Sequence, residues 1–371
     1  MKLGILTLPL EINYGGILQN YALQRTLCKL GHEAITIDRH NRVGYPSFAR
    51  HLMGYSKRIL QHYLMHRNVT VKWNPFLSEE ELKKITENTQ RFINKNINLT
   101  YKVYSDQLEK IDQDYQFDGY VVGSDQVWLN YYCPDSFLSF VKRENVKKVI
   151  YAASCGKRSF FNDDKLVREC SELAKSFNGI SVREESLVSK CESELRVSAE
   201  FVLDPTLLLT PEEYKELLSE KMNDEAIIFS YILDNDNNKQ QVVSTVARTL
   251  NLPVVSFNCD VPDRVVDPQH PVEEWINNIQ RAKFIVTDSF HATVFSILFN
   301  KQFITICNDS RGSGRFESVL NLFNLKSRMI EGSRAFDLRE MINSAIVYDK
   351  VNEIINKQRA KSVAFILNSL K

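Results

Sequence analysis

FIVTDSFHATVFSILFNKQFITI, residues 284–306, holds in one short span the three pieces from which the fold is read. Phe284–Val286 is apolar and β-branched enough for a buried strand, and Phe303–Ile306 is a second such run. Between them, Ala292–Leu298 is apolar all round, as a helix covered on both sides would be. Asp288 and Ser289, both good N-cap residues, stand where strand gives way to helix, and His291 follows at once. Strand, helix and strand in this order make a βαβ unit, and such units build parallel sheets. In an open parallel sheet that junction faces the ligand crevice. His291 is therefore a candidate for chemistry, beside the plainer reading of a capping or core-filling histidine.

The same rhythm extends in both directions. Lys2–Leu8 reads as a strand, Gly16–Leu30 as a helix and Ala34–Ile37 as a strand, with further strands at Gly119–Val122, Lys148–Ala153 and Gly179–Val182. Beyond Pro205 come Ala226–Tyr231, a helix Lys239–Leu250, Pro253–Phe257 and a helix Pro271–Arg281. Continuous rather than alternating apolar strands between helices argue for parallel sheets covered on both faces. A chain of 371 residues exceeds one ordinary core. The expected architecture is α/β, two Rossmann-like domains facing a cleft, divided into 1–204, 205–345 and a final helical piece 346–371 that packs back across the junction. Leu203-Asp204-Pro205 is the expected hinge, and Thr210-Pro211-Glu212-Glu213 the cap of the next helix.

Bulk composition excludes several classes. Apolar content of 43%, charged content of 25% and a net charge of +1 describe a globular protein with no general attraction to nucleic acid. Seven cysteines, an odd number without a CxxC pair, suggest neither a disulfide framework nor a zinc site, and no metal is expected. No apolar run approaches the roughly 20 residues that span a bilayer, and the opening MKLGILTLPLE is too short for a signal core. A cytoplasmic location is expected. One segment departs from neutrality: residues 39–78 contain no Asp or Glu but seven Arg/Lys and four His. Tyr55, Ile59, His62, Tyr63 and His66 recur there at helical spacing, so the segment suits an anionic membrane face or a diphosphate-bearing acceptor. It suits a solvated basic helix equally.

Four further stretches fall at strand ends or in loops. Asn13-Tyr14-Gly15-Gly16, with Gln19, opens the first helix, where glycines let backbone approach an anion or sugar hydroxyls. It lacks the GxGxxG pattern, so a plain tight turn remains open. Gly123-Ser124-Asp125-Gln126-Val127-Trp128 offers polar groups for hydroxyls and an aromatic face for a sugar ring, or else a capped turn with a core Trp. Ser310-Arg311-Gly312-Ser313-Gly314-Arg315 places two guanidinium groups before a helix, a composition that suits carboxylate or phosphate, or else a mobile surface loop. Arg183 adds a cation at the end of the strand Gly179–Val182.

In their order and spacing, Val122-Gly123-Ser124-Asp125-Gln126-Val127-Trp128, Ser181-Val182-Arg183-Glu184, Leu203-Asp204-Pro205-Thr206-Leu207-Leu208 and Asp288-Ser289-Phe290-His291-Ala292 resemble the polysaccharide pyruvyl transferase family. The resemblance runs from Asn13 to Glu317. It implies a two-Rossmann fold of the GT-B glycosyltransferase kind, and transfer of the enolpyruvyl unit of phosphoenolpyruvate onto a sugar, closed as a cyclic ketal, in surface glycan biosynthesis such as capsule or exopolysaccharide. It implies His291 as the general acid or phosphoenolpyruvate-binding histidine and Arg183 as a donor-binding arginine; Ser289, Arg311, Ser313, Gly314 and Arg315 are the further candidates on the phosphoenolpyruvate side. Asn13, Tyr14, Gly15, Gly16, Gln19, Ser124, Asp125, Gln126 and Trp128 are the candidates on the acceptor side. No cofactor is expected beyond phosphoenolpyruvate as co-substrate. Related sequences often carry Asp where this chain has Gly16, and Arg where it has Ser289. A nucleotide-sugar glycosyltransferase and a non-catalytic saccharide-binding relative are the competing expectations.

Overall fold

The computed structural model describes residues 1–40, 79–156, 160–218, 225–234, 236–258, 267–307, 313–331 and 338–371. Two parallel sheets dominate it. The first has the order β2-β1-β5-β6-β7-β8 and the second β10-β9-β11-β12-β13. Their strands are β1 (Lys2–Leu6), β2 (Glu33–Thr36), β5 (Gly119–Val122), β6 (Lys147–Ala153), β7 (Gly179–Val182) and β8 (Glu200–Phe201), then β9 (Ile227–Ile232), β10 (Val254–Asn258), β11 (Ala282–Thr287), β12 (Gln302–Ile306) and β13 (Met329–Ile330). Between β2 and β5 in the chain, a parallel pair of β3 (Arg39–His40) and β4 (Val103–Tyr104) stands apart.

Why these runs are strands is visible in their burial. Every residue of β5 and of β9 is buried, as expected where helices cover both faces of a parallel sheet. In each sheet the chain reverses its direction of winding beside a central strand: between β1 and β5 in the first, and between β9 and β11 in the second. Ligands of open α/β sheets bind where such reversals leave a gap at the carboxyl ends of the strands. The segments that leave β1, β5 and β11 are the ones singled out from sequence.

The two sheets share one core. Tyr14, Ile17, Leu18 and Tyr21 of the helix Tyr14–Lys29 lie in the same apolar cluster as Tyr231, Trp275 and Phe295 from the second half. Tyr14 packs its ring at 5.8 Å from Trp275 and donates its hydroxyl to the His270 carbonyl at 2.7 Å. The last helix, Asp349–Ser369, follows the second sheet in sequence yet covers the first. Its Phe365 and Ile366, with Leu370 just beyond, join Leu3, Ile5, Val149 and Tyr151.

Three expectations need correction or narrowing. Leu203-Asp204-Pro205 is not built like a free hinge. The Leu203 N–H donates to Ser362 at 3.0 Å, its carbonyl accepts from Tyr151 at 2.9 Å, and Asp204 is buried. A connection tied down by this many hydrogen bonds resists bending. Of the basic segment, only Arg39 and His40 fall among the described residues, and Arg39 is buried against Asp135 and Ser105, both at 2.9 Å. Residues 41–78, with Tyr55, Ile59, His62, Tyr63 and His66, lie outside the described residues. The capping box at Thr210 and Glu213 is present, but the helix it opens, Pro211–Lys215, is short. No helix among the described residues is long and apolar enough to cross a membrane.

Candidate active site at the meeting of the two sheets

The site is assembled from segments that leave the carboxyl ends of strands in both sheets. After β5 the chain turns through Asp125, whose φ of 72° lies in the left-handed region that Asp tolerates better than most residues. The carboxylate is thereby aimed at Arg183, which follows β7. Arg183 donates to Asp125 at 2.9 Å and to Asp204 at 2.7 Å, and its Nε lies 3.6 Å from Glu184. Ser124 contributes its hydroxyl to the same group, 3.4 Å from both Arg183 and Asp204. Glu184 accepts from Ser154 at 2.7 Å. The guanidinium also lies 4.5 Å from the centre of the Phe290 ring, within cation–π range.

His291 enters this cluster from the second sheet, on the first turn of the helix Phe290–Leu298. Ser289 caps that helix, its hydroxyl accepting from the Ala292 N–H at 3.4 Å. The imidazole Nε2 is 3.7 Å from Asp204 and has no hydrogen-bond partner among the described residues. Its other edge rests on the glycine turn: a Cβ at Gly15 would stand 2.0 Å from Nδ1. Only glycine fits there. Arg315 completes the group, 3.9 Å from Asp125 and 5.6 Å from the Phe290 ring.

Burial and charge act against each other across this network. Burial alone would raise the affinity of Asp125 and Asp204 for a proton, but the neighbouring cations outweigh it and hold both below the usual carboxylate range. For Glu184 burial wins over Arg183, and its carboxyl is pushed up. Burial likewise works against the charge on Arg183, yet its three carboxylates keep it firmly protonated. His291 is lowered from the ordinary imidazole value, first by burial; Asp204 and Asp125 oppose that shift, while Arg183 and Arg315 add to it. Without substrate the ring rests neutral near pH 7.

The residues expected from sequence divide clearly. His291, Arg183, Arg315, Ser124, Asp125 and Gly15 come together. Arg183 does not have the open fork expected of a donor-binding arginine, because both of its terminal nitrogens are already held by carboxylates. Ser124 and Asp125 face this arginine cluster rather than an acceptor. The Ser289 hydroxyl caps its own helix. Trp128 is fully buried, stacked on Phe137 at 5.6 Å, and belongs to the core of the first half. It has no free face for a sugar, because the chain after Asp125 turns inward. Tyr14 and Gln19 are also internal, Gln19 donating to Thr7 at 2.9 Å. Asn13 is exposed and Gln126 half-buried, so both reach the surface, while Gly16 is buried beside Asn13. Ser313 and Gly314 begin the helix Gly314–Leu322, and Arg311 lies outside the described residues.

Sequence reasoning missed Asp204, Glu184, Ser154 and Phe290. Asp204 reads from sequence as part of a hinge, although Asp-Pro-Thr is itself a helix-start pattern that fixes a carboxylate; here Asp204 caps the short helix Pro205–Leu208. A second polar cluster also escaped notice. His40 lies 2.9 Å from Asp38 and 3.9 Å from Glu11, on the segments that leave β1 and β2.

The fold places the chain among proteins with two Rossmann-like units in the GT-B arrangement. A UDP-GlcNAc 2-epimerase from Neisseria meningitidis, solved bound to UDP-GlcNAc, is similar over 100% of this chain and 99% of its own, with a TM-score of 0.51 and 11% identity. A putative UDP-N-acetylglucosamine 2-epimerase from Listeria monocytogenes matches over 95% and 94%, with a TM-score of 0.51 and 9% identity. These likenesses describe architecture alone. No curated protein sequence matches the chain significantly. The family model for polysaccharide pyruvyl transferase matches residues 13–310, and the chain belongs to that family. The matched span begins at the glycine turn, includes Arg183, Asp204 and His291, and stops short of Arg315.

Proposed function

We propose that this chain transfers the enolpyruvyl unit of phosphoenolpyruvate to a pair of sugar hydroxyls and closes it as a cyclic ketal, as a step in building a surface polysaccharide. The observation that carries this reading is the meeting of His291 with two guanidinium groups and two ionised carboxylates where the two sheets face each other. A titratable ring beside fixed charges suits proton transfer to a trianionic substrate.

In the proposed sequence, Arg315 and the N-terminus of the helix Gly314–Leu322, with Ser313, take the phosphate and carboxylate of the donor. Arg311 is a candidate for the same task. Arg183 acts one layer behind, holding Asp125 and Asp204 ionised and in place. The donor's negative charge raises the proton affinity of His291, which then delivers a proton to the methylene carbon. Positive charge develops at the adjacent carbon, one sugar hydroxyl attacks it, and the hydroxyl proton restores the imidazolium. The second hydroxyl displaces phosphate, which leaves with that hydroxyl's proton, and the ketal closes. Such acid catalysis contributes about 10²–10⁴-fold. Asn13 and Gln126, which reach the surface beside the glycine turn and the Asp125 turn, are the proposed acceptor contacts.

Phosphate release from phosphoenolpyruvate, measured with candidate saccharide acceptors, tests the reaction. His291→Ala should abolish it, and full turnover in that variant would remove the ring from the mechanism. Thermal stabilisation by UDP but not by phosphoenolpyruvate would transfer the reading to a nucleotide-sugar glycosyltransferase. Oligosaccharide binding with no phosphoenolpyruvate-dependent product would indicate a saccharide-binding relative. The acid-free stretch 39–78 supports a lipid-diphosphate-linked acceptor at the cytoplasmic membrane face. Co-sedimentation with anionic liposomes, lost when Arg50, Lys57 and Arg58 are neutralised, checks that part.

A further inference from the structure

Asp204 is the most completely immobilised carboxylate in the cluster. Its Oδ1 accepts from the Thr206 N–H at 3.0 Å and from the Thr206 hydroxyl at 2.7 Å. Its Oδ2 accepts from Arg183 at 2.7 Å and from Ser124 at 3.4 Å. With both oxygens occupied by donors, it is badly placed to take a proton from substrate. That same Oδ2 faces His291 Nε2 at 3.7 Å, and Nε2 is buried with no other partner among the described residues. Hydrogen bonds of catalytic groups are often long before substrate binds and tighten in the complex. At the opposite edge of the ring, Gly15 has no side chain that would cover Nδ1. One nitrogen is turned toward a fixed acceptor, and the other has only the bare backbone of Gly15 against it.

We propose that Asp204 is the positioning residue of the reaction: by accepting the Nε2–H of His291 it selects that tautomer and keeps the protonated ring charged, leaving Nδ1 to hand its proton to the substrate. This rests on the proton-transfer role given to His291 above. The charged groups that face the ring are Asp204 and Asp125, which favour its protonated form, and Arg183 and Arg315, which disfavour it. Asp204 is the nearest of these whose contact with the ring is seen, and it heads the groups that oppose the discharge caused by burial. Without it, burial and the two arginines would lower the ring's affinity for a proton further, and the acid would be harder to charge when the donor binds.

The test is nitrogen NMR of histidine-labelled, full-length protein titrated with pH in the absence of substrate. In the wild type the neutral His291 ring should carry its proton on Nε2; a ring protonated on Nδ1 overturns the proposal without any variant. In Asp204→Asn, which keeps the side-chain shape, the protonation midpoint of His291 should move to lower pH, and kcat near neutral pH should fall by about ten- to a hundredfold. KM for phosphoenolpyruvate should change far less than kcat. An unmoved midpoint in folded Asp204→Asn overturns the proposal, and if that variant fails to fold the wild-type tautomer decides alone. Because the titration needs no substrate, it separates the two readings. An Nε2–H ring in a protein that never consumes phosphoenolpyruvate would leave the pairing standing and remove the reaction.

Discussion

His291 and Gly15 belong to different sheets yet touch, so the glycine can be probed as part of the histidine's setting. Gly15→Ala would place a methyl group 2.0 Å from Nδ1, and the neighbour it meets is the ring itself. Overpacking of this kind costs about 1–3 kcal/mol. The variant should stay folded, bind phosphoenolpyruvate within a few-fold of normal, and lose most of its turnover, as calorimetry and steady-state kinetics would show. The pH dependence follows from the direction in which the ring is shifted. An acid with lowered proton affinity is lost early as pH rises, so kcat/KM should fall through a midpoint below the ordinary histidine value of about 6.5. Once the anionic donor is bound, the ring holds its proton to higher pH, so the corresponding fall in kcat should lie to the alkaline side. A kcat/KM that stays level up to pH 8 would contradict the assignment of His291 as the acid.

The segment after β5 shows how an element can mislead. Trp128 has the composition of a sugar platform, but it is buried between Phe137 and Phe160. Trp128→Ala should therefore cost about 3–5 kcal/mol of stability. Its folded fraction should keep an unchanged KM for the acceptor; a raised KM at full thermal stability would restore the platform. Much of the fold was legible because strands such as β5, β7 and β11 are continuous apolar runs between helix signals, and these survive any packing detail. A strand as short as β13 left no trace, since two residues have no period to read. The site was legible only in its members. That Arg183 serves carboxylates rather than substrate depends on Asp125 and Asp204 arriving from two other stretches of chain, a convergence that no local spacing encodes. The ion pair of Lys239 and Asp288, 2.9 Å apart between the helix Asn237–Leu250 and the segment that leaves β11, was invisible for the same reason.

At the scale of the molecule, the shared apolar cluster and the returning helix Asp349–Ser369 couple the two sheets. Heating should give a single unfolding transition, and Phe365→Ala, removing a ring from the face of the first sheet, should lower it as a whole at a cost of about 3–5 kcal/mol. Two separated transitions in calorimetry would show that the halves melt independently. The same helix bears on any attempt to dissect the protein. Cutting the chain between the sheets yields an amino-terminal piece stripped of the cover that Phe365, Ile366 and Leu370 provide, and a carboxyl-terminal piece ending in a greasy, unpartnered rod. A split version would reassemble only if residues 349–371 were grafted behind the first fragment, or if both pieces were made together in one cell.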